Sequence, residues 1–452
     1  MFTLRVAWCR KRRGFSRLAC IASIMSALPG VAAEQSSAAL AMQLAREGSA
    51  AAEAQDNARY LAKMEEAVAL RPDFPRMLVN LAAAQLANER PDDALASLNR
   101  LAAIGFSSPV EKSDEFAALR ERKEFKDVVK KLAANLHPKG SGEIDFALRE
   151  VTGLIEGIAW REKTGEFYFG DVNGRAVWMR NKDGTLRRFT PEGDELLGVF
   201  GLAVDEANGA LWAATSAVSA MRGFLPDMDG TAALAEIDLE SGAIRRTLPV
   251  VRRSGDRQSH VLGDLAVGPD GSVFVTDSGG PVLWRLAPGG AALESFVESP
   301  EFISLQGVAV VAGGAALMLS DHANGLLRVD LGSRQVQRIE SPLETSLIGL
   351  DGLTVTATGD VIAIQNGLRP IRVVRIALDP AAESIGAVTV LESGHITMAA
   401  PSLGCIATGG HFYFIGNAGW TRFENTEGQP SAPRSVPIFR TKLEAPARKR
   451  TS

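Results

Sequence analysis

Two acidic side chains stand where apolar strands begin. Glu156 opens the stretch "EGIAW" and Asp351 opens "DGLTV", and in each case the residues that follow read as a buried strand. An unpaired charge at such a position is costly, so each carboxylate requires a cation, a shared proton or a hydrogen-bond donor. Four further stretches align with these two. They put Phe200 ("FGLAVDEANG"), Gly263 ("GDLAVGPDG"), Gln306 ("QGVAVVAGG") and Ser402 ("SLGCIATGG") in the same position. If the six copies form a ring, Glu156 faces Asp351 and Gln306 across its centre. Oxygen donors converging from separate segments are what a hard cation such as Ca2+ requires.

Each of the six stretches is followed by a turn and a second strand: "EFYFGDVNGRAVWMR", "ALWAATSAVSAMRGF", "SVFVTDSGGPVLWRL", "ALMLSDHANGLLRVD", "DVIAIQNGLRPIRVV" and "HFYFIGNAGWTRFEN". A repeat of about 45 residues, each three or four antiparallel strands, predicts a β-propeller, and six copies predict six blades. "GEIDFALRE" before the first copy and "SVPIFRTKLE" after the last are the strands available to close the circle, which removes exposed edges. The second copy carries an insertion around "SAMRGFLPDMDGTAAL".

In this fold the innermost strand of each blade lines a central channel and its first residues ring one mouth. The loop after the second strand returns to that mouth, which brings Asp171, Asp277, His322 and Asn366 there. Asp171, Asp277 and Asp321 recur at a strand-to-loop junction, where an aspartate accepts backbone hydrogen bonds in the turn. Asp264 reads as either a substrate ligand or an acid packed between blades. His322, in "SDHANG", reads as either a proton shuttle near neutral pH or a surface histidine, and His260 has the same two readings. Phe200 makes part of the channel wall apolar. Ser402 has no GxSxG elbow around it, which excludes a serine nucleophile of that kind.

Residues 34–136 have a different period. "YLAKMEEAVALRPDFPRMLVNLAAAQLANERPDDALASLNRLAAIG" places Met64 and Ala67, then Leu78, Leu81 and Ala82, then Ala94 and Leu98, at helical spacing. Small residues at helix crossings and a proline closing the unit resemble the tetratricopeptide repeat. "DEFAALRERKEFKDVVKKLAAN" predicts a further amphipathic helical segment. Such a stack offers a surface for a protein partner. At residues 137–142 helix formers give way to glycine and short strands. The expected class is therefore multidomain, a small α-helical repeat domain followed by an all-β propeller over 143–440 and a solvated tail over 441–452.

The first 33 residues, with six basic side chains, no acid and an apolar stretch ending in Val31-Ala32-Ala33, predict a cleaved export signal. Arg12-Arg13-Gly14-Phe15 fits the twin-arginine pattern, so the expected destination is the periplasm or the exterior. Cleavage moves the net charge from -4 to -10, which speaks against a nucleic-acid partner. It also leaves Cys405 alone, on an apolar strand, as a buried structural thiol. No later segment is apolar for long enough to span a membrane.

Over about residues 143–440 the chain resembles the SMP-30/gluconolactonase family of six-bladed, calcium-dependent lactonases. The resemblance rests on "EGIAW", "LGDLAVGPDGSVFVTDS", "LQGVAVVAGGAALMLSDHANGLLRVD" and "LDGLTVTATGDVIAI". It implies that Glu156 is a metal ligand, that Asp351 is both ligand and general base, and that the substrate is a small lactone or related ester. The two other signature positions, asparagine in that family, hold Gly263 and Gln306 here. Gly263 has no side chain to offer, and Gln306 keeps the amide oxygen on a longer stem. The resemblance therefore implies a divalent-metal-dependent hydrolase, with one divalent cation, expected to be Ca2+, on Glu156, Gln306 and Asp351. The alternative is a non-catalytic exported binding protein, in which the helical repeats and propeller rim recognise a partner and the metal site is degenerate.

Overall fold

The computed structural model describes residues 35–151, 153–193, 195–251, 259–407, 409–423 and 434–443. The expected signal, with its arginine pair, and the chain beyond Leu443 lie outside these residues.

Among the described residues five α-helices come first: α1 (Ser37–Glu53), α2 (Asn57–Leu70), α3 (Pro75–Ala87), α4 (Pro91–Ala103) and α5 (Lys123–Ala134). Local chemistry sets their starts. Ser36 Oγ accepts from Ala39 N at 3.2 Å and Asp56 Oδ1 from Arg59 N at 3.1 Å, capping α1 and α2. Proline begins α3 and α4, where its missing N–H is no loss. Ala41, Ala67, Ala82, Ala84 and Ala94 are fully buried and let the helices approach closely, with Met64, Leu78 and Leu98 filling between them. The segment expected as one further helical element is two: a 3-10 turn over Asp114–Leu119 and then α5.

The rest is six four-stranded antiparallel sheets. Blades 1 to 5 have inner strands Ile155–Arg161, Gly198–Asp205, Leu262–Val267, Leu305–Val311 and Leu350–Val355. In blade 6, Gly404–Ala407 is innermost and Glu143–Val151 outermost, paired with Arg434–Lys442. One blade thus joins the first and last strands and closes the circle. Residues 441 and 442, expected to begin the tail, belong to that sheet.

Second strands such as Val273–Asp277, Ala316–Asp321 and Val361–Gln365 are buried throughout, because neighbouring blades cover both faces. This is why they read as continuous apolar runs rather than alternating ones. Blades 3 and 4, for example, interlock through Phe274, Leu283, Leu305, Leu317, Leu319 and Leu327.

Around the channel the inner strands crowd together. A Cβ on Gly157 would lie 1.9 Å from Phe200 O, and one on Gly307 would lie 2.7 Å from Asp351 O. A glycine after the ring position is therefore a steric requirement at these two places.

Candidate functional site

Pairing register slips at the same point in five inner strands: between Ile155 and Gly157, Val199 and Leu202, Leu262 and Leu265, Leu305 and Val308, and Leu350 and Leu353. A β-bulge bends a strand and re-aims a side chain. The residues inside these bulges include Glu156, Phe200, Gly263, Gln306 and Asp351, so the fold repeats one device five times. Hydroxyls then tie four of these bulges to the preceding blade. Ser216 Oγ donates to Leu262 O at 3.3 Å, Ser278 Oγ to Leu305 O at 2.6 Å, Ser320 Oγ to Asp351 O, and Ser402 Oγ to Glu156 O at 2.9 Å. Ser402 is thus a ring-closing strut.

Glu156 and Asp351 each have one oxygen engaged. Trp420 Nε1 donates to Glu156 Oε2 at 2.8 Å, and Asn366 Nδ2 donates to Asp351 Oδ2. The other oxygens, Glu156 Oε1 and Asp351 Oδ1, accept no hydrogen bond among the described residues. Gln306 gives its amide N–H to Ser304 Oγ at 3.1 Å, and its amide oxygen likewise accepts none. Ser393 Oγ is the one side-chain oxygen or nitrogen among the described residues that is both sealed from solvent and unpartnered. The three oxygens at the ring therefore open onto the channel.

Burial pushes the Glu156 carboxyl well above its ordinary value, and the charge of Asp351 pushes it further. Burial also raises Asp351, opposed by His322 and by the Asn366 hydrogen bond. Each acid disfavours ionisation of the other, the condition that a proton or a cation relieves.

Behind Asp351 lies a short relay. Asn366 Nδ2 also donates to Pro401 O at 2.9 Å, so its two amide protons are both engaged and its Oδ1 must accept. His322 Nε2 stands 3.3 Å from that Oδ1, which assigns the proton to Nε2. His322 is thus neither a free surface residue nor a direct neighbour of the reacting space; it lies one residue behind Asp351.

Asp264 occupies, in blade 3, the place that glycine takes after Glu156, Phe200, Gln306 and Asp351. Its Oδ1 accepts from Leu265 N at 2.9 Å and its Oδ2 from Val308 N at 3.4 Å. Burial pushes its carboxyl up to about 7. It joins blade 3 to blade 4 and also lines a channel cavity of about 220 Å3 with Trp160, Leu202, Thr354 and Cys405. Cys405 is therefore a half-buried channel residue rather than a core thiol. Phe200 is buried against Leu154, Val172, Met221 and Phe423, with its ring centroid 6.0 Å from that of Trp420, which makes one side of the mouth apolar. The blade 2 insertion supplies Met221 to this wall.

The junction aspartates bind backbone. Asp171 Oδ1 accepts from Leu154 N and Gly174 N at 3.1 and 2.7 Å, and the two Asp321 oxygens together accept from four backbone N–H groups. Asp277 accepts from Val261 N at 2.9 Å and meets His260 Nδ1 at 2.6 Å. His260 is therefore a buried structural partner and not a surface residue. Trp178 and Trp284 each add an indole donor at 3.1 Å, to Asp171 and Asp277. Trp420 was missed from sequence. It lies in "GNAGW", the blade 6 loop equivalent to those carrying His322 and Asn366, and that equivalence was the available signal.

Two carboxylates and one amide oxygen are hard donors, and their chemistry suits a divalent cation. Among the described residues no three His, Cys, Asp or Glu side chains converge as a metal cluster, so neutral Gln306 would have to contribute.

This fold and ring define the chain as a six-bladed β-propeller with a helical N-terminal unit. No family model and no curated protein matches it. Among solved structures it is similar to a gluconolactonase from Xanthomonas campestris, at 17% identity over 65% of this chain and 88% of that one, TM-score 0.44. It is likewise similar to the calcium-binding protein regucalcin from Agrobacterium tumefaciens, at 13% identity over 66% and 96%, TM-score 0.45. A third is virginiamycin B lyase from Staphylococcus aureus, at 16% identity over 62% and 82%, TM-score 0.42. The likeness is one of fold.

Proposed function

We propose that the channel mouth hydrolyses a lactone or related ester of a small molecule. The observation that carries this reading is the set of three oxygens without hydrogen-bond partners among the described residues, on Glu156, Asp351 and Gln306, opening onto the channel from three blades. Asp351 is the base: Asn366 fixes its Oδ2, which leaves Oδ1 to take a proton from water as that water adds to the acyl carbon. The bond from the acyl carbon to the ring or ester oxygen then breaks, and the proton held by Asp351 returns to the departing alkoxide, giving a hydroxy acid or an acid and an alcohol. Phe200 and Trp420 receive the hydrocarbon part of the substrate and exclude water from that side. A divalent cation, expected to be Ca2+ and held by Glu156, Asp351 and Gln306, would supply Lewis-acid polarisation of the carbonyl.

A second reading, an exported binding protein that uses the helical unit and propeller rim, is favoured by Gly263, which adds no side chain to the ring. A panel of five- and six-membered lactones and aryl esters, tested with calcium-, manganese- and zinc-loaded protein, separates the two. Hydrolysis that falls about 100-fold or more in Asp351→Asn supports the enzyme. No turnover by folded, metal-loaded protein supports the binding reading. Export, proposed from residues 1–33, is tested by Arg12→Lys with Arg13→Lys, which should leave precursor in the cytoplasm if the twin-arginine route is used; undiminished export excludes that route.

A further inference from the structure

Blades 1 and 3 brace their mouth loops from within, through Trp178 on Asp171 and Trp284 on Asp277. Seven residues beyond the junction residue, where blades 1 and 3 carry these tryptophans, blades 4 and 5 carry Arg328 and Arg372, but the strand register sets them differently, Arg328 opposite Met318 and Arg372 opposite Gln365. Arg328 turns away to Ala381 O at 3.1 Å. Arg372 reaches Gln365 Oε1, but its guanidinium lies 4.0 Å over the ring of Phe106 from the helical unit. Among the described residues neither loop has an indole donor of this kind, and both are met by residues of the helical unit.

Each loop has its own helical contact. Arg71, at the end of α2, is fully buried. Its Nη1 donates to Asn324 Oδ1 at 2.8 Å and its Nη2 to Asn324 O at 3.3 Å, while Asp73 takes its Nε at 2.8 Å. Asn324 belongs to the blade 4 loop that carries His322. Beside Phe106, Ser107 N donates to Arg369 O at 2.8 Å, and Leu368 packs on the helical core. Those residues belong to the blade 5 loop that carries Asn366. The two loops also touch each other, since a Cβ on Gly367 would lie 2.6 Å from the His322 ring, and Gly349, in the connection that enters blade 5, bridges them by donating to His322 O at 2.9 Å and accepting from Gly367 N at 3.1 Å.

We propose that the helical unit is part of the site, with Arg71 and Phe106 as positioning residues that hold His322 and Asn366 and, through them, Asp351. The inference rests on the reading of Asp351 as the working carboxylate. A buried guanidinium without a carboxylate beside it is expensive, and burial pulls the Arg372 pKa down to about 10. Its retention under an aromatic ring is explained if the ring's position matters.

The test uses full-length protein carrying 15N-histidine, with His322 assigned by loss of its signal in His322→Gln. Asn366→Ala gives the spectrum of a His322 ring without its acceptor. Arg71→Gln and Phe106→Leu are each expected to move the His322 ring resonances toward that spectrum while those of His411, on the far side of blade 6, stay in place. If hydrolysis is found, each variant lowers kcat with KM nearly unchanged. Both variants folded, with lowered melting temperatures but His322 resonances unmoved, would overturn the proposal and leave the helical unit a stabiliser only. If Arg71→Gln does not fold, Phe106→Leu decides alone, since leucine keeps most of the buried volume and removes only the ring. The resonances need no substrate, so failure of the hydrolase reading leaves this result interpretable.

Discussion

Replacing Asp264 by asparagine should change how stability depends on pH more than it changes stability itself. The acid has an ordinary value of 3.8 and is pushed up to about 7 by burial between blades 3 and 4. The folded state therefore holds its proton more tightly than the unfolded chain does. Below about pH 4 both states are protonated and the site has no effect. From there to about pH 7 the unfolded chain ionises while the folded one does not, and stability falls by up to about 1.4 kcal/mol per pH unit. Above pH 7 the loss levels off near about 4 kcal/mol.

Asparagine has no such titration. It keeps an acceptor for Leu265 N but turns a donor toward Val308 N, a fixed cost of about 1 kcal/mol. The informative quantity is therefore the difference between variant and wild type as pH changes. Between pH 5 and pH 8 that difference should move by about 3 kcal/mol in favour of Asp264→Asn. Urea unfolding followed by tryptophan fluorescence, in chelator at four pH values, measures it. Parallel curves for the two proteins would refute the claim that burial keeps this carboxyl neutral.

Three further outcomes are expected. Asp171→Asn loses a carboxyl acceptor for Trp178 and the backbone of its turn and should cost about 1–3 kcal/mol, yet leave any calcium response intact; melting curves with and without calcium check both parts. Trp420→Phe removes the donor to Glu156 while keeping an aromatic ring against Phe200. It should cost about 1–3 kcal/mol, more at pH 8 than at pH 5, because the lost bond favours the ionised acid; equal losses at both pH values would contradict this. Gly263→Asn adds an amide oxygen where a Cβ meets only Ser278 Oγ at 3.1 Å and Thr276 Oγ1 at 3.9 Å. It should fold and bind calcium more tightly by calorimetry, and weaker binding would show that the ring does not converge as described.

The six blades were legible because each repeats one strand–turn–strand phrase, and because the buried middle strands are apolar without interruption. The six ring positions follow from aligning those phrases on Glu156 and Asp351. The aim of the side chains could not be read, because it depends on bulges, and a bulge appears in sequence only as a break in alternation such as that at Glu156-Gly157. Asp264 remained ambiguous because nothing in "GDLAV" shows that its carboxyl lies against Val308 of the next blade. The links through Asn366, Trp420, Arg71 and Phe106 join residues far apart along the chain, and no local pattern encodes them. His260 could not be told from a surface residue until Asp277 was placed beside it.

Glu156 and Asp351 are proposed to share one divalent cation at the channel mouth. Calcium titration of chelator-treated protein by isothermal calorimetry tests it most directly. One site per chain is expected, lost in Asp351→Asn and in Glu156→Gln and retained in Asp171→Asn, with a gain of about 2.7 kcal/mol in stability at a hundredfold excess over Kd. Absence of binding by folded wild-type protein, or binding that survives both ring substitutions, would contradict it.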